Sequence, residues 1–334
     1  MSVDETIRLT EIVTAPLLGA LVCEVTELGV PDQIDPGSAR AVAEIASAVN
    51  CDERTLYRVM RFLASHGIFE ERNRGEFALT PPAALLRSDT EDSFYAAARM
   101  FKRLFPALEE VGHSLRTGGS ALTKKLGVPL FEFMMDHPDD AAIFDAAMTS
   151  FHGPEGGAML DAYDFSGIGI LADVGGGNGT LLIQMLQRHS ALGGMLFDLE
   201  HVVERAKKNL QSAGVLDRCK LQAGSFFDSI PSGADAYLLR HIIHDWSDED
   251  SVRILRNCRK AVSQDGRLLI VEPVVPEGND PSPAKDMDMT MLVYPGGMER
   301  TAQEYGDLFE ASGFRLATIT PTASPVSIIE GRPK

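Results

Sequence analysis

One stretch, Gly169 to Gln187, limits what this chain can fold into more than any other. A short apolar run, Ile168, Ile170, Leu171 and Val174, reads as a buried parallel strand with Asp173 at its carboxyl end. Four glycines follow within five positions, Gly175, Gly176, Gly177 and Gly179, with Asn178 among them. An amphipathic helix comes next, with Leu181, Leu182, Met185 and Leu186 on its apolar side. Strand, glycine loop and helix make the first half of a nucleotide-binding βαβ unit. Glycine lets such a turn take positive φ angles and brings the backbone against a ligand.

The loop narrows the choice of ligand. A dinucleotide fingerprint, G-x-G-x-x-G, fails in both registers, because its sixth position is Thr180 counted from Gly175 and Leu182 counted from Gly177. A phosphate loop needs Gly-Lys-Ser/Thr, and no lysine is present in this stretch. What remains is D-V-G-G-G-N-G, followed by a second strand, Gly194–Asp198, that ends in a carboxylate. A carboxylate there accepts both hydroxyls of a ribose, which suits NAD and S-adenosyl-L-methionine (SAM) equally. SAM carries no pyrophosphate, so its loop need not keep the dinucleotide spacing.

Charge removes other partners. The 334 residues carry a net charge of −17. That argues against nucleic acid, whose binding rests on Lys and Arg, and equally against an anionic membrane surface. The cysteines, Cys23, Cys51, Cys219 and Cys258, show no C-x-x-C spacing and read as reduced thiols of a cytoplasmic protein. The first residues, MSVDETIRLTEIV, lack the basic region of a signal peptide, and no apolar run is expected to approach a membrane span.

Ahead of the glycine loop the chain reads as helical. Thr6–Leu28 is apolar around too much of its circumference for a lone exposed helix, and a second subunit is the simplest cover. Helices at Ala39–Ala48 and Asp52–His66, then a hairpin through Phe69 and Phe77, spell a winged helix-turn-helix. Its second helix opens with Asp52-Glu53, acids where a DNA reader presents donors to the groove, so a dimerisation scaffold is favoured over a regulator. Glu91–Asp164 reads as helical with breaks, and His152–Gly157 as an interdomain turn. Beyond it strands and helices alternate: strands at Lys220–Gly224, Ala236–Arg240 and Arg267–Val274, helices at Val202–Ala213 and Asp248–Ala261, then a helix Thr301–Ser312 and closing strands Phe314–Thr320 and Val326–Glu330. Seven strands in this pattern make a doubly wound α/β sheet. The expected domains are 1–90 (winged helix), 91–155 (helical, lining a substrate pocket) and 156–334 (nucleotide binding).

A second informative stretch, Leu239 to Asp250, follows the fourth strand, on the edge where doubly wound folds place ligands. A metal site from His241, His244 and Asp245 lacks any ligand spacing that would support it. His244 as general base, with a pKa near neutrality, competes evenly with a histidine that merely starts a helix.

These motifs together resemble the SAM-dependent small-molecule O-methyltransferases of the caffeic-acid and bacterial secondary-metabolite type, from end to end of the chain. DVGGGNG is similar to the family's SAM loop, FDLEHV to its ribose-binding strand end and AGSFFDSIP to its adenine segment. LLRHIIHDWSDED is similar to its catalytic segment and GGMERTAQEYGDLFEASGF to its C-terminal signature. The resemblance implies a Rossmann-like seven-stranded class I methyltransferase domain with an antiparallel last strand, and an N-terminal winged-helix dimerisation domain that makes a homodimer. It implies His244 as base flanked by Glu272 and Glu299, which hold the imidazole by its far nitrogen. It implies cofactor contacts from Gly175, Gly177, Asp198, Ser225, Phe226 and Arg240, and no metal. Ser225 stands where the family usually has Asp, and Glu200 where Pro is usual. Met148, His152, Asp245, Met287 and Met291, with Met298 beside them, are the candidates to line the substrate pocket. The expected activity is methyl transfer to a hydroxyl of a small aromatic or polyketide-like metabolite. The alternative is a SAM-binding relative that performs hydroxylation, decarboxylation or pericyclic chemistry, against which retention of His244, Glu272 and Glu299 argues.

Overall fold

The computed structural model describes residues 3–90 and 93–334. Two compact units emerge, Met1–Leu108 with Val128–Gly153, and Glu109–Gly127 with Pro154–Lys334.

The first unit opens with α1 (Val3–Thr14) and α2 (Pro16–Glu27). The single helix expected at Thr6–Leu28 is therefore two, because Pro16 has no N–H to continue the first ladder and starts a new helix instead. Taken together, Val3–Glu27 is long and apolar enough to cross a membrane by length and composition, at 25 residues and mean hydropathy 1.5. This corrects the expectation that no run approaches that length. Val3, Ile7, Leu9, Ile12, Val13 and Leu17 are all exposed along it.

The winged helix is present. Strand β1 (Ala39–Ala41), α3 (Val42–Ala48), α4 (Glu53–Ser65), β2 (Phe69–Asn73) and β3 (Glu76–Leu79) form it, and the sheet order is β1-β3-β2. Asp52 caps α4 by accepting from the Thr55 N–H at 2.8 Å. Ile34, Ile45, Met60, Leu63, Phe69 and Phe77 fill its core. Helices α5 (Pro81–Ala84) and α6 (Tyr95–Leu104) follow; Glu91 and Asp92, which begin the stretch expected to be helical, lie outside the described residues. The short helices α7 (Val111–Thr117) and α8 (Ala121–Leu126) belong to the second unit. The chain then returns to the first through α9 (Leu130–Asp136) and α10 (Pro138–Ala162).

No turn interrupts His152–Gly157. These residues are helical within α10, and the division between units falls inside that helix. Of the glycines there only Gly156 has a close neighbour: a Cβ on it would collide with the end of the Gln184 side chain, whereas Gly153 and Gly157 face open space. Burial of Met159 and Leu160 in the core beyond outweighs the helix penalty of glycine, about 1 kcal/mol each.

The second unit is a seven-stranded sheet of β4 (Ile170–Val174), β5 (Gly193–Asp198), β6 (Cys219–Ala223), β7 (Ala236–Arg240), β8 (Arg267–Glu272), β9 (Phe314–Pro321) and β10 (Ser327–Pro333). The order is β6-β5-β4-β7-β8-β10-β9. β6, β5, β4, β7 and β8 are parallel, and β10 runs antiparallel between β8 and β9, as expected. Successive residues of β4 face opposite cores. Leu171 joins Leu182 and Met185 of α11 (Thr180–Arg188) and Ala206 and Leu210 of α12 (Glu200–Ser212). Ala172 and Val174 join Ile254 and Leu255 of α13 (Asp248–Ala261) and Tyr305 and Phe309 of α15 (Ala302–Ser312). Between β8 and α15 lies α14 (Pro283–Val293). The carboxyl ends of β4, β5, β7 and β8 thus deliver their loops to one edge, where open α/β sheets bind ligands.

Candidate active site

Two sets of side chains gather at that edge. The first surrounds the glycine loop. Gly175, Gly177 and Gly179 all have positive φ, and Gly177 has open space where a Cβ would stand. Its N–H donates to Asp198 Oδ2 at 2.9 Å, and the Leu199 N–H donates to Asp198 Oδ1 at 2.6 Å. The strand-end carboxylate is therefore half-buried, oriented by the loop it faces, and pushed up in pKa by burial against those two bonds. Asp173, at the end of β4, is buried, and its Oδ2 has no hydrogen-bond partner among the described residues. Burial raises it to about 6, while the Arg240 charge pulls it down. A buried acceptor with no donor, beside an open glycine loop, fits a ligand that brings a cationic donor. Beyond β6, the Ser225 hydroxyl accepts from the Phe227 N–H at 3.2 Å, so it shapes its own turn. The Phe226 ring lies 6.0 Å from that of Trp246, and Asn257 donates to the carbonyls of both Phe226 and Phe227 at 2.9 and 3.1 Å.

The second set surrounds His244, which sits on a 3-10 turn (Ile243–Asp245) just after β7. Its Nδ1 meets Glu299 Oε1 at 2.7 Å, with both groups buried. A carboxylate at Nδ1 fixes the tautomer and leaves Nε2 for chemistry. Asp245 Oδ1 lies 3.8 Å from Nε2. Burial pushes the imidazolium down, but the Glu299 hydrogen bond and the charges of Asp245, Glu272 and Glu299 outweigh it and hold His244 at about 10. Asp245 is raised to about 6, chiefly by burial, with His244 opposing.

Glu272 corrects an expectation. It does not grip the imidazole. Its Oε1 accepts the backbone N–H groups of Ile242 and His244, each at 3.1 Å, and its Oε2 accepts from the Tyr305 hydroxyl at 2.6 Å. At the end of β8 it reaches backbone before it reaches a ring, so it holds the turn that carries the base.

Sequence reasoning gave none of three further groups the role the structure gives it. Arg300, fully buried, donates to the carbonyls of Ile243 (3.1 Å) and Trp246 (2.9 Å), to Ser251 Oγ (3.3 Å) and to Asp248 Oδ1 (3.0 and 2.9 Å). Neighbouring residues 299 and 300 thus clamp the imidazole and its backbone. A parallel bridge between Val274 and Arg300 lays them beside the end of β8. Gly297 allows this approach, since a Cβ there would collide with the His244 carbonyl. His241, at φ 52°, joins its Nε2 to Glu155 Oε2 at 2.8 Å, and Arg240 Nη1 lies 4.0 Å from the same oxygen. Asp173 carried a signal, an acid ending the first strand, that went unused.

The other expected residues divide. Met287 is half-buried and Met291 buried on α14, whose Asp288 accepts the Glu299 N–H at 3.0 Å, whereas Met298 is exposed. Met148 and His152 are half-buried on the part of α10 that belongs to the first unit.

A doubly wound sheet with a non-dinucleotide glycine loop and a carboxylate-braced histidine suits an enzyme that takes a nucleoside-bearing cofactor. The O-methyltransferase domain family matches residues 108–315, and the O-methyltransferase dimerisation domain family matches residues 17–89. The phenazine O-methyltransferase PhzM of Lysobacter antibioticus is 42% identical over 308 residues, 92% of this chain and 90% of that protein. The mitomycin biosynthesis 6-O-methyltransferase of Streptomyces lavendulae is 37% identical over 317 residues, 92% of this chain and 88% of that protein. The crystal structure of CalO1, a methyltransferase in calicheamicin biosynthesis in its SAH-bound form, superposes with a TM-score of 0.89 at 35% identity, covering 100% of both chains. The chain belongs to the O-methyltransferase family and carries that family's dimerisation domain. It is an O-methyltransferase that uses SAM as methyl donor.

Proposed function

We propose that this enzyme methylates a hydroxyl of a small aromatic or polyketide-like metabolite, with His244 as general base. The observation that carries this is the buried 2.7 Å pairing of His244 Nδ1 with Glu299, which leaves Nε2 to take a proton from an acceptor hydroxyl. SAM supplies an electrophilic methyl group on its sulfonium. Asp198 would accept the ribose hydroxyls, Phe226 would pack on the adenine and Asp173 would receive the ammonium group, with Gly177 leaving open space at the loop and Gly175 letting Ile242 pack against it. Glu272 and Arg300 hold the turn so that Nε2 meets the hydroxyl in one geometry. Met287, Met291 and Asp245 line the acceptor side. The relatives act, by their names, on a phenazine, in mitomycin biosynthesis and in calicheamicin biosynthesis, which supports an aromatic or polyketide-like acceptor.

The functional form is a homodimer in the cytoplasm. The exposed apolar face of α1 and α2, next to a matched dimerisation domain, supports a second copy as its cover rather than a membrane.

His244→Ala tests the base. Methyl transfer from labelled SAM should fall by about 10²–10⁴, with SAM affinity by calorimetry unchanged. A near-normal rate would overturn the assignment.

A further inference from the structure

We propose that His241 and Glu155 form a positioning pair that stops the His244 imidazole from swinging, and that the left-handed backbone at His241 is retained for that purpose. The proposal rests on reading His244 as the base. Three observations carry it. Among the described non-glycine residues only Asn50 and His241 have positive φ. Glycine adopts that conformation freely, whereas a side chain does so against steric resistance and persists there only where its surroundings over-determine it. The surroundings here are specific. The His241 side chain is buried against Glu155 on α10, Nε2 to Oε2 at 2.8 Å, and Glu155 is itself buried. The His241 N–H donates to the Val271 carbonyl of β8 at 3.2 Å, so backbone and side chain are both tied.

The third observation gives the pair its task. The rings of His241 and His244 lie 5.0 Å apart, centroid to centroid, with planes inclined at 41°. The Glu299 bond fixes one nitrogen of the base but permits rotation about that bond. A second ring on its flank, anchored in turn by a buried acid, removes the rotation and holds Nε2 on the acceptor.

His241→Gly in the full-length enzyme removes the ring while keeping the backbone conformation at no steric cost. The expected result is SAM affinity within about twofold and kcat lowered about tenfold or more at a temperature where the variant is still folded, since small misplacement of a reacting group costs up to about 10² in rate; the Tm falls, because the buried Glu155 loses its His241 partner. Glu155→Ala should lower kcat comparably. Glu155→Gln, which keeps an oxygen to accept from Nε2, should restore it to within about threefold of wild type. A His241→Gly enzyme with kcat within twofold of wild type, or a Glu155→Gln enzyme as slow as Glu155→Ala, overturns the proposal. The base assignment fails separately: a fully active His244→Ala enzyme would sink it whatever His241 does.

Discussion

At the scale of single residues, the site is set by groups whose proton affinities are moved by their neighbours. His244 is held at about 10, so in the free enzyme its neutral form grows with pH throughout the neutral range. Below about pH 10, kcat/KM should therefore climb, by close to tenfold per pH unit where this titration alone controls it. A stopped-time assay from pH 6.5 to 10 checks this, and a flat profile would mean that the acceptor ionises unaided. Stability must run the other way. A folded-state pKa raised above the unfolded 6.5 contributes stability that is fully present below 6.5 and is lost as pH rises through about 10. Tm should fall from pH 7.5 to 10 as the rate rises, and it should fall less in His244→Ala. For the cofactor, Asp198→Ala removes acceptors whose charge-assisted bonds are worth roughly 1.5–3 kcal/mol each. SAM affinity by calorimetry should weaken at least about tenfold. Ser225 already accepts the Phe227 N–H, a bond an aspartate can also accept. Ser225→Asp should keep the turn and tighten SAM binding by roughly a few-fold to tenfold, as a neutral acceptor becomes a charged one; an unchanged affinity would place Ser225 away from the adenine.

At the scale of elements, the catalytic turn owes its shape to contacts distant in sequence. Arg300 satisfies the carbonyls on both sides of His244, and its buried charge leans on the exposed Asp248. Arg300→Met should destabilise the protein, by about 1–3 kcal/mol for each of the Ile243 and Trp246 carbonyls left without a donor. Arg300→Lys cannot reproduce the fork and should recover little. Denaturant melts and kcat on both variants decide. This contrast also explains what the sequence made legible. β7 at Ala236–Arg240 and α13 at Asp248–Ala261 are found as expected, since unbroken apolar runs and a Ser247 cap are local signals. α14 went unread because only Ala284 and Met291 are buried on it, too few to make a stripe. The bend at Pro16 and the continuity of α10 through Gly156 were both misjudged. The first is a break that apolar periodicity hides, and the second a glycine that serves packing against Gln184. Likewise, nothing local in the sequence says that Glu272 would hold backbone rather than ring, or that Glu155, 86 positions away, would meet His241.

At the scale of the whole molecule, association is the first consequence of the exposed face on α1 and α2. Ile7→Glu with Ile12→Glu places charges on that face, where a second copy would have to bury them. Light scattering should show a dimer for the wild type and a monomer for the double variant, with the winged-helix core of Ile45, Met60 and Phe77 still folded. A wild-type monomer would sink the dimer reading. The second consequence lies in the sheet order. β10 is the sixth strand in space but the last in sequence, and its Ser327 sits opposite Glu272, the acid that holds the base turn. Without β10, β8 is an open edge and β9 has no neighbour in the sheet. The strand that carries Glu272 is therefore finished only by Ser327–Pro333, so the support of the base turn depends on one of the longer-range pairings of this sheet.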